Sequence, residues 1–291
     1  MSLQNVWSIE RTAERASPFR PSHPNDRDSE CGASRNRGGS RVAPRSLRAP
    51  PRLDTLAATR DSLGGKAFNS SNCFAQSRFY CRLPTCLAAG ESEELASKTG
   101  AHFEQLDLTD TVATTRLIQQ LVDESGPIDI LVNNAASDDR HGIDDVSEAY
   151  WDDRLNVNLK HQFFCAQAVA PGMRAKGGGA IINLGSISWH LALPGLILYE
   201  TSKAAIEGMT RSLARELGGD NIRVNCVVPG NIRTPRQMQW YTPEGEAEIV
   251  NAQCLKCRLE PRDVAALVTF LASDDACGMT GHEYFVDAGW R

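Results

Sequence analysis

Three short apolar runs, separated by helical patterns, constrain the fold of this 291-residue chain more than any other feature. Each run ends in small or polar residues or in Pro-Gly, which is typical of buried strands in a parallel sheet. Strands that alternate with amphipathic helices indicate right-handed βαβ units. We therefore predict an α/β fold with a doubly wound, Rossmann-like parallel sheet. The runs are residues 128–136, 180–188 and 222–230, and further elements are predicted at residues 103–109, 262–272 and 283–286.

Tyr199 and Lys203 stand four positions apart in a helical pattern, which puts a phenol and an ammonium on one helix face. A neighbouring cation favours the phenolate, so it brings a tyrosine pKa of about 10 towards the pH at which a general base works best. Ser186 precedes the tyrosine by thirteen positions and ends one of the apolar runs, at the sheet edge where ligands bind. The pair alone is typical of a solvated helix face, but its combination with Ser186 favours a catalytic site.

Several motifs resemble those of the short-chain dehydrogenase/reductase family: Tyr-x-x-x-Lys with its preceding serine, Asn-Asn-Ala at 133–135, Asn-Val-Asn at 156–158 and Pro-Gly at 229–230. The resemblance covers about residues 91–291. It implies that Tyr199 is the base, that Ser186 holds the substrate oxygen, and that Lys203 lowers the Tyr199 pKa while holding the nicotinamide ribose. Asn158 is implied to anchor a water in a proton relay. The implied catalytic residues are Asn158, Ser186, Tyr199 and Lys203.

The same resemblance implies a nicotinamide cofactor, which we take to be NAD, with NADP left open because the deciding position is not found. Asn134 and Ala135 are implied to line the cofactor trough, and the Pro-Gly turn is expected to free backbone donors towards it. Ordinary local roles stay open: Asp107 or Asp110 as the cap of the next helix, and residues 229–234 as a strand-to-helix turn. The implied cofactor residues are Asp107, Leu108, Asn134, Ala135, Tyr199, Lys203, Pro229, Ile232 and Thr234.

Within the family, the chain resembles the sugar dehydrogenases. This implies hydride transfer from C1 of an aldose such as D-xylose to the cofactor, giving an aldonolactone. Ser188, His190 and Trp240 are then implied to contact the sugar, although a loop histidine is more often a structural hydrogen-bond partner. Residues 236–253 resemble a substrate lid. Another alcohol or a 3-oxoacyl substrate remains the alternative, because spacing does not report the geometry of hydroxyl groups.

Composition narrows the partners and the compartment. A formal net charge of −5 argues against a nucleic-acid binder, and there is no run of about eighteen apolar residues that could span a membrane. Nine cysteines, an odd number with no secretory signal, favour reduced thiols in the cytoplasm. Cys254 and Cys257 lack a second ligand pair, so no metal site is predicted. The expected partners are a small-molecule sugar and further copies of the chain, the latter implied by resemblance through helices at 150–170 and 199–217.

The first 87 residues differ from the rest of the chain in charge and in proline content. They hold fourteen of the 31 Lys and Arg residues, seven of the 36 Asp and Glu residues and half of the fourteen prolines. Such a stretch buries too little apolar surface to offset its ordering entropy, so we predict that residues 1–87 are disordered or aberrant. The domain, residues 88–291, then lacks a normal first βαβ unit and the glycine-rich phosphate turn. Residues 79–83 are the best candidate for a second strand, and two strand edges are expected to be open.

Three explanations of residues 1–87 compete. A transit peptide is poor in acidic residues, whereas Glu10, Glu14, Asp26 and Asp28 come early in this chain. A regulatory extension would be added to a complete domain, and here domain parts are missing. We favour translation out of frame or through a misassigned splice, in which case the chain as written is a cofactor-deficient, inactive product.

We expect the nucleotide sequence that encodes residues 1–90 to contain the missing glycine-rich turn in one of its two other reading frames. Glycines let the backbone approach the cofactor phosphates at a helix N-terminus, so the turn is recognisable from its sequence. Sequencing the locus is the measurement. Absence of the turn from both frames rejects the frame-shift explanation.

Overall fold

The computed structural model describes residues 6–9, 78–80, 97, 101–239 and 241–290. The strands within these residues are β1 Val6–Ile9, β2 Arg78–Tyr80, β3 His102–Glu104, β4 Ile130–Asn133, β5 Gly179–Leu184, β6 Ile222–Pro229 and β7 Glu283–Val286. They form one sheet in the order β3-β2-β1-β4-β5-β6-β7. Sequential strands run outward in both directions from the centre, which is the order of a doubly wound α/β fold. The predicted architecture is confirmed.

The predicted strands agree with the sheet to different degrees. β4 to β7 are mutually parallel, and β7 coincides with the predicted strand 283–286. The strand predicted at 103–109 is only three residues long, because Asp107 turns the chain. Its Oδ1 accepts hydrogen bonds from the amide and the hydroxyl of Thr109, at 2.9 and 2.8 Å. A local turn of this kind competes with strand pairing.

Strand β1 occupies the centre of the sheet. The expectation that a missing first strand leaves two strand edges without backbone pairing is therefore wrong. Strand β1 lies between β2 and β4 and is antiparallel to both. Two β-branched residues and one aromatic suit a strand, and a central position pairs their backbone groups on both sides. Because β1 runs against β4, the chain leaves β1 at the edge opposite to the carboxyl ends of β4 and β5. The predicted second strand, 79–83, is shifted to Arg78–Tyr80 and lies parallel to β3.

The helices are α1 Thr111–Ser125, α2 Glu148–Leu155, α3 His161–Lys176, α4 Ser188–Leu191, α5 Ile197–Leu217, α6 Pro243–Ala252 and α7 Pro261–Ala272. Side-chain caps explain where several of them begin: Asp110 accepts two backbone amides at the start of α1, and Ser147 accepts one at the start of α2. Between α2 and α3 the chain makes one π-helical turn, Asn156–Lys160. The predicted helices at 199–217 and 262–272 agree with α5 and α7.

Helices cover both faces of the sheet. On one face, α1, α3 and α5 pack against a core that includes Leu131, Ile181 and Val224. On the other face, α7 packs against Ile182 and Val227. Successive residues of a strand point to opposite faces, so β5 contributes Ile181 to one core and Ile182 to the other. Both layers therefore depend on the same central strands.

A chain of buried amides and one hydroxyl ties α3 and α5 to the sheet. Asn133 Nδ2 donates to Asn183 Oδ1 at 2.9 Å and to the backbone carbonyl of Gln162 at 3.2 Å. Asn183 Nδ2 donates in turn to Thr210 Oγ1 at 2.9 Å. The three side chains have no exposed surface, so each bond supplies a partner that water cannot. These hydrogen bonds hold α3 and α5 against the carboxyl ends of β4 and β5.

We expect Thr210→Val to lower the free energy of unfolding by about 1–3 kcal/mol, because Asn183 Nδ2 would be buried without its acceptor. Valine keeps nearly the shape of threonine, so a cavity does not contribute. Thr115→Val is the control, since Thr115 is exposed on α1, and should change stability by less than about 0.5 kcal/mol. Urea unfolding measures both variants, and equal effects would contradict a stabilising role of the buried bond.

Candidate active site

Helix α5 carries three ionisable side chains on one face, because Tyr199, Lys203 and Glu207 follow one another at four-residue spacing. Lys203 has no exposed surface, and its Nζ donates to the carbonyl of Leu184, the last residue of β5, at 2.7 Å. The same Nζ lies 5.4 Å from the centroid of the Tyr199 ring. The phenol and the ammonium are therefore neighbours at the carboxyl end of a parallel strand.

Two serine hydroxyls lie next to each other after β5. Ser186 Oγ is 2.8 Å from Ser188 Oγ and accepts the Ser188 backbone amide at 3.2 Å. The Ser186 hydroxyl also acts to lower the pKa of the Tyr199 phenol. The amide of Ile187 donates to the carbonyl of Pro229 at 3.1 Å, which holds this turn against the end of β6. The structure thus brings the predicted residues Ser186, Ser188 and Tyr199 together.

Asn158 lies in the π-helical turn and is fully buried. Its Oδ1 accepts the Ser137 amide at 2.6 Å, while its Nδ2 has no hydrogen-bond partner among the described residues. Single π-helical turns are frequent at functional sites, and a buried amide without a partner is rare. The Nδ2 group is therefore a donor that a bound water or ligand can use.

The pKa of Tyr199 is raised, not lowered. Burial is the main cause and the Asp138 carboxylate adds to it, whereas the Ser186 hydroxyl and Arg236 act in the opposite direction. Burial also lowers the pKa of Lys203 to about 8. Desolvation of the phenolate outweighs the groups that lower the Tyr199 pKa, and the predicted contribution of Lys203 stays a prediction.

Two aspartates in the loop after β4, Asp138 and Asp139, form ion pairs with neighbouring segments. Asp138 Oδ1 forms an ion pair with Arg236 Nη2 at 2.8 Å, which joins the loop after β4 to the segment after β6. Asp139 Oδ2 pairs with Arg154 Nη1 of α2 at 2.6 Å. Neither aspartate was predicted as a site residue. Their position after a buried strand, at the edge where ligands bind, is the signal that could have found them.

The cofactor residues that were predicted after β3 and after β4 have different surroundings. Asn134 and Ala135 follow β4 directly, at the edge that also holds Tyr199. Leu108 is 3 % exposed and packs in the core, so its side chain is not available to a cofactor. The Asp107 carboxylate binds its own turn and Asp110 caps α1, so the predicted cap is confirmed for Asp110 and is wrong for Asp107.

The Pro-Gly turn after β6 offers fewer free backbone donors than predicted. The Gly230 amide already donates to a carbonyl of β7 at 2.8 Å, and the Arg233 amide donates to the carbonyl of Leu259, before α7, at 2.7 Å. Ile232 forms an isolated β-bridge with the same Leu259, and Thr234 Oγ1 accepts a backbone amide at 3.3 Å. The Pro229 carbonyl is bound by the turn after β5. A cofactor role for Pro229, Ile232 and Thr234 stays a prediction.

The described residues could hold the nicotinamide ribose of a cofactor but not its diphosphate. The one hydrogen bond that the Lys203 ammonium makes within the described residues goes to Leu184, which leaves two of its three N–H donors for a ribose. Tyr199 and Asn134 lie at the same edge. For the phosphates, residues 101–239 and 241–290 contain no glycine-rich turn after a strand at this edge, and β1 runs the other way. The described part therefore fits the nicotinamide ribose but includes no cradle for the diphosphate.

Of the predicted sugar contacts, Ser188 adjoins the serine at the end of β5. His190 instead lies against Glu207: its Nε2 is 3.2 Å from Oε1, and its ring is stacked on Trp189 with centroids 3.8 Å apart. Trp189 Nε1 donates to the same Glu207 oxygen at 2.8 Å. These contacts match the structural alternative for His190, and its contact with a sugar stays a prediction. Trp240 lies outside the described residues.

A phenol, a hydroxyl and a buried ammonium thus lie at the carboxyl edge of a doubly wound sheet, the edge at which such folds bind their ligands. A family model described as enoyl-(acyl carrier protein) reductase matches residues 81–291. The chain belongs to the short-chain dehydrogenase/reductase family, a family of oxidoreductases that use nicotinamide cofactors. The first 80 residues lie outside that match.

Three relatives describe the similarity more closely. D-xylose 1-dehydrogenase of Caulobacter vibrioides is 62 % identical over 201 residues, which are 69 % of this chain and 79 % of the relative. A probable galactose dehydrogenase of Rhizobium meliloti is 42 % identical over 234 residues, or 78 % of this chain and 91 % of the relative. The crystal structure of a proposed short-chain alcohol dehydrogenase from Sinorhizobium meliloti 1021 has a TM-score of 0.68 at 32 % identity, covering 77 % of this chain and 92 % of that one.

We expect the stability difference between the unaltered chain and Lys203→Met to depend on pH. Burial lowers the pKa of Lys203 from 10.5 to about 8 in the folded chain, so between these values the unfolded chain binds more protons. Unfolding free energy therefore rises with pH across this window, because the penalty on the charged form, complete below pH 8, disappears. Between about pH 7 and pH 10.5 the unaltered chain should gain about 3 kcal/mol relative to the variant.

Denaturant unfolding at stepped pH measures this difference. Lys160→Met removes an exposed ammonium from the π-helical turn and serves as the control for general loss of charge. If the difference for Lys203→Met were constant over the whole range, the lowered pKa would be refuted.

Proposed function

We propose that the protein is an aldose dehydrogenase, which oxidises the C1 hydroxyl of a sugar such as D-xylose to an aldonolactone. The observation that carries this proposal is the position of the Lys203 ammonium 5.4 Å from the centroid of the Tyr199 ring, at the carboxyl end of β5, where Ser186 follows the strand and acts on the pKa of the phenol. That set combines a proton acceptor with a hydrogen-bond donor for the substrate oxygen. Support for a sugar comes from the two relatives named as sugar dehydrogenases.

Each side chain has one role in this proposal. Tyr199 takes the proton of the C1 hydroxyl, and Ser186 donates a hydrogen bond to the same oxygen. Lys203 carries its positive charge below its pKa of about 8 and favours the phenolate. Asn158 holds a water through its Nδ2 and so connects the site to solvent. A nicotinamide cofactor, proposed to be NAD with NADP as the alternative, supplies the hydride acceptor when it is bound.

The raised pKa of Tyr199 affects the direction in which the site works most readily. A phenol that keeps its proton near neutral pH can donate it to a carbonyl oxygen, whereas oxidation needs the fraction that has lost it. Oxidation is therefore favoured as the pH rises, until Lys203 loses its proton above about pH 8.

Tyr199→Phe should lower kcat for D-xylose by about 10²- to 10⁴-fold, because it removes only the hydroxyl that accepts the proton. Tyr284→Phe removes the same group from β7 and is the matched control, with kcat expected to stay close to that of the unaltered chain. NADH formation measures kcat, and nicotinamide fluorescence shows whether each variant binds cofactor. If Tyr199→Phe bound cofactor and kept its activity within about tenfold, Tyr199 would not be the base.

A 3-oxoacyl or other alcohol substrate is the second candidate. It is favoured by a relative of Thermotoga maritima that is named 3-oxoacyl-[acyl-carrier-protein] reductase and is 37 % identical over 200 residues. A panel of aldoses, secondary alcohols and 3-oxoacyl thioesters separates the two candidates. A higher kcat/KM for a thioester than for every aldose would reject the aldose dehydrogenase.

A third possibility follows from residues 1–87, which we propose to be an aberrant segment before an incomplete family domain at 88–291. The chain as written would then be an inactive product. Each missing charge-assisted contact to the phosphates removes roughly 1.5–3 kcal/mol of binding energy, so several of them lower affinity by orders of magnitude. Titrating the purified chain with NADH and following nicotinamide fluorescence distinguishes a catalyst from an inactive chain.

We also propose a homo-oligomer in the cytoplasm. Trp151 on α2 and Phe163 on α3 are 43 % and 41 % exposed, which suits apolar residues of a subunit interface. The five cysteines in the described part are free thiols, as expected in a reducing compartment.

None of the described helices has the length and apolarity needed to cross a bilayer. Nor do three His, Cys, Asp or Glu side chains gather into a metal site in that part of the chain.

A further inference from the structure

Charged side chains fasten the loop after β4 to three neighbouring segments. Asp138 pairs with Arg236, in the segment after β6, at 2.8 Å. Asp139 pairs with Arg154 of α2 at 2.6 Å. Arg140 Nη1 donates to a backbone carbonyl just before α5 at 3.0 Å. These contacts hold the loop across the carboxyl edge of the sheet, where the proposed reaction takes place.

The ion pair of Asp138 and Arg236 lies beside the proposed base. After burial, Asp138 is the largest cause that raises the pKa of Tyr199, and Arg236 acts to lower it. Burial lowers the pKa of Lys203, and Asp138 acts against that effect. The loop that carries Asp138 is also bound to the site directly: the Ser137 amide donates to Asn158 Oδ1 at 2.6 Å, and the amide of Leu198, the residue before Tyr199, donates to His141 Nε2 at 3.4 Å. The Asp138 and Arg236 side chains are 38 % and 26 % exposed, so a molecule in the cleft can reach them.

Asp138 retains hydrogen-bonding capacity. A carboxylate has about four acceptor sites. Its Oδ1 meets Arg236 as an ion pair without the alignment of a hydrogen bond, and it is buried without any other hydrogen-bond partner among the described residues. Oδ1 therefore holds the carboxylate in place beside Arg236, and a ligand would meet the exposed part of the Asp138 side chain.

We propose that Asp138 is a specificity-determining residue, whose carboxylate, positioned by Arg236, accepts hydrogen bonds from neighbouring hydroxyl groups of an uncharged polyol substrate. The inference rests on the proposed aldose dehydrogenase function. It names the residue that recognises the hydroxyl groups of the substrate other than the one at C1. A substrate without these hydroxyls leaves the carboxylate desolvated and without donors. A substrate with a negative charge is repelled by it.

Two substrates with the same reacting centre test the proposal. D-xylose in its pyranose form and 2-hydroxytetrahydropyran both carry a ring hemiacetal whose C1 loses a hydride and a proton to give a lactone, but the second compound lacks all other hydroxyls. The unaltered chain should therefore have a kcat/KM at least about 10²-fold higher for D-xylose.

Asp138→Asn should lower the ratio of kcat/KM for D-xylose to kcat/KM for 2-hydroxytetrahydropyran by about tenfold or more, because a change in the Tyr199 pKa affects both reactions alike and cancels in the ratio. Asp139→Asn is the matched control, because it removes the neighbouring carboxylate, which pairs with Arg154. Arg236→Gln should raise KM for D-xylose more than it lowers kcat. An equal loss on both substrates for Asp138→Asn would overturn the proposal, since a structural role or a change in the Tyr199 pKa affects both reactions alike.

Saturation-transfer NMR with D-xylose reports binding without turnover and so separates this inference from the proposed function. If the unaltered chain binds D-xylose more strongly than Asp138→Asn does but fails to oxidise it, the proposed function fails and the inference stands. If both chains bind the sugar equally, or the unaltered chain does not bind it, the inference fails whatever the turnover.

Discussion

The hydrogen bond from Lys203 to the last carbonyl of β5 is the interaction on which the arrangement of the active site depends. A fully buried lysine loses its hydration, and the Leu184 carbonyl at 2.7 Å replaces part of it. Because the carbonyl ends a central strand and the ammonium belongs to α5, this bond sets the helix over the sheet and thereby places the Tyr199 phenol against Ser186. The desolvation that remains appears as the lowered pKa of Lys203, a perturbation typical of functional sites.

Two kinds of polar contact surround that bond and have different consequences. The chain of Asn133, Asn183 and Thr210 is fully desolvated, so its hydrogen bonds bear on stability. The ion pair of Asp138 and Arg236 is partly exposed, and such pairs contribute only about 0–1 kcal/mol to stability. Its effect lies in the position of charge beside the phenol, which matters for substrate recognition and proton transfer more than for folding.

The apolar runs predicted β4, β5 and β6 well because the period and length of a buried strand are local properties. The third strand is shorter than predicted because the Asp107 side chain competes for the backbone. Strand β1 was missed because four residues in a polar stretch carry no sustained period and find their partners far along the chain. At the site, Ser186 and Lys203 were predicted from their spacing to Tyr199. Asp138 and Arg236 are almost a hundred positions apart in sequence, so no local spacing predicts that they form a pair.

The sequence by itself determined the doubly wound α/β architecture and the grouping of Ser186, Tyr199 and Lys203, since helical period and strand polarity are encoded locally. The tertiary structure decided the antiparallel direction of β1, the engagement of His190 with Glu207 and the pairing of Asp138 with Arg236. It also decided that the pKa of Tyr199 rises. Each of these depends on contacts between distant segments, or on how much water the folded chain excludes, and neither quantity can be read from a local pattern of residues.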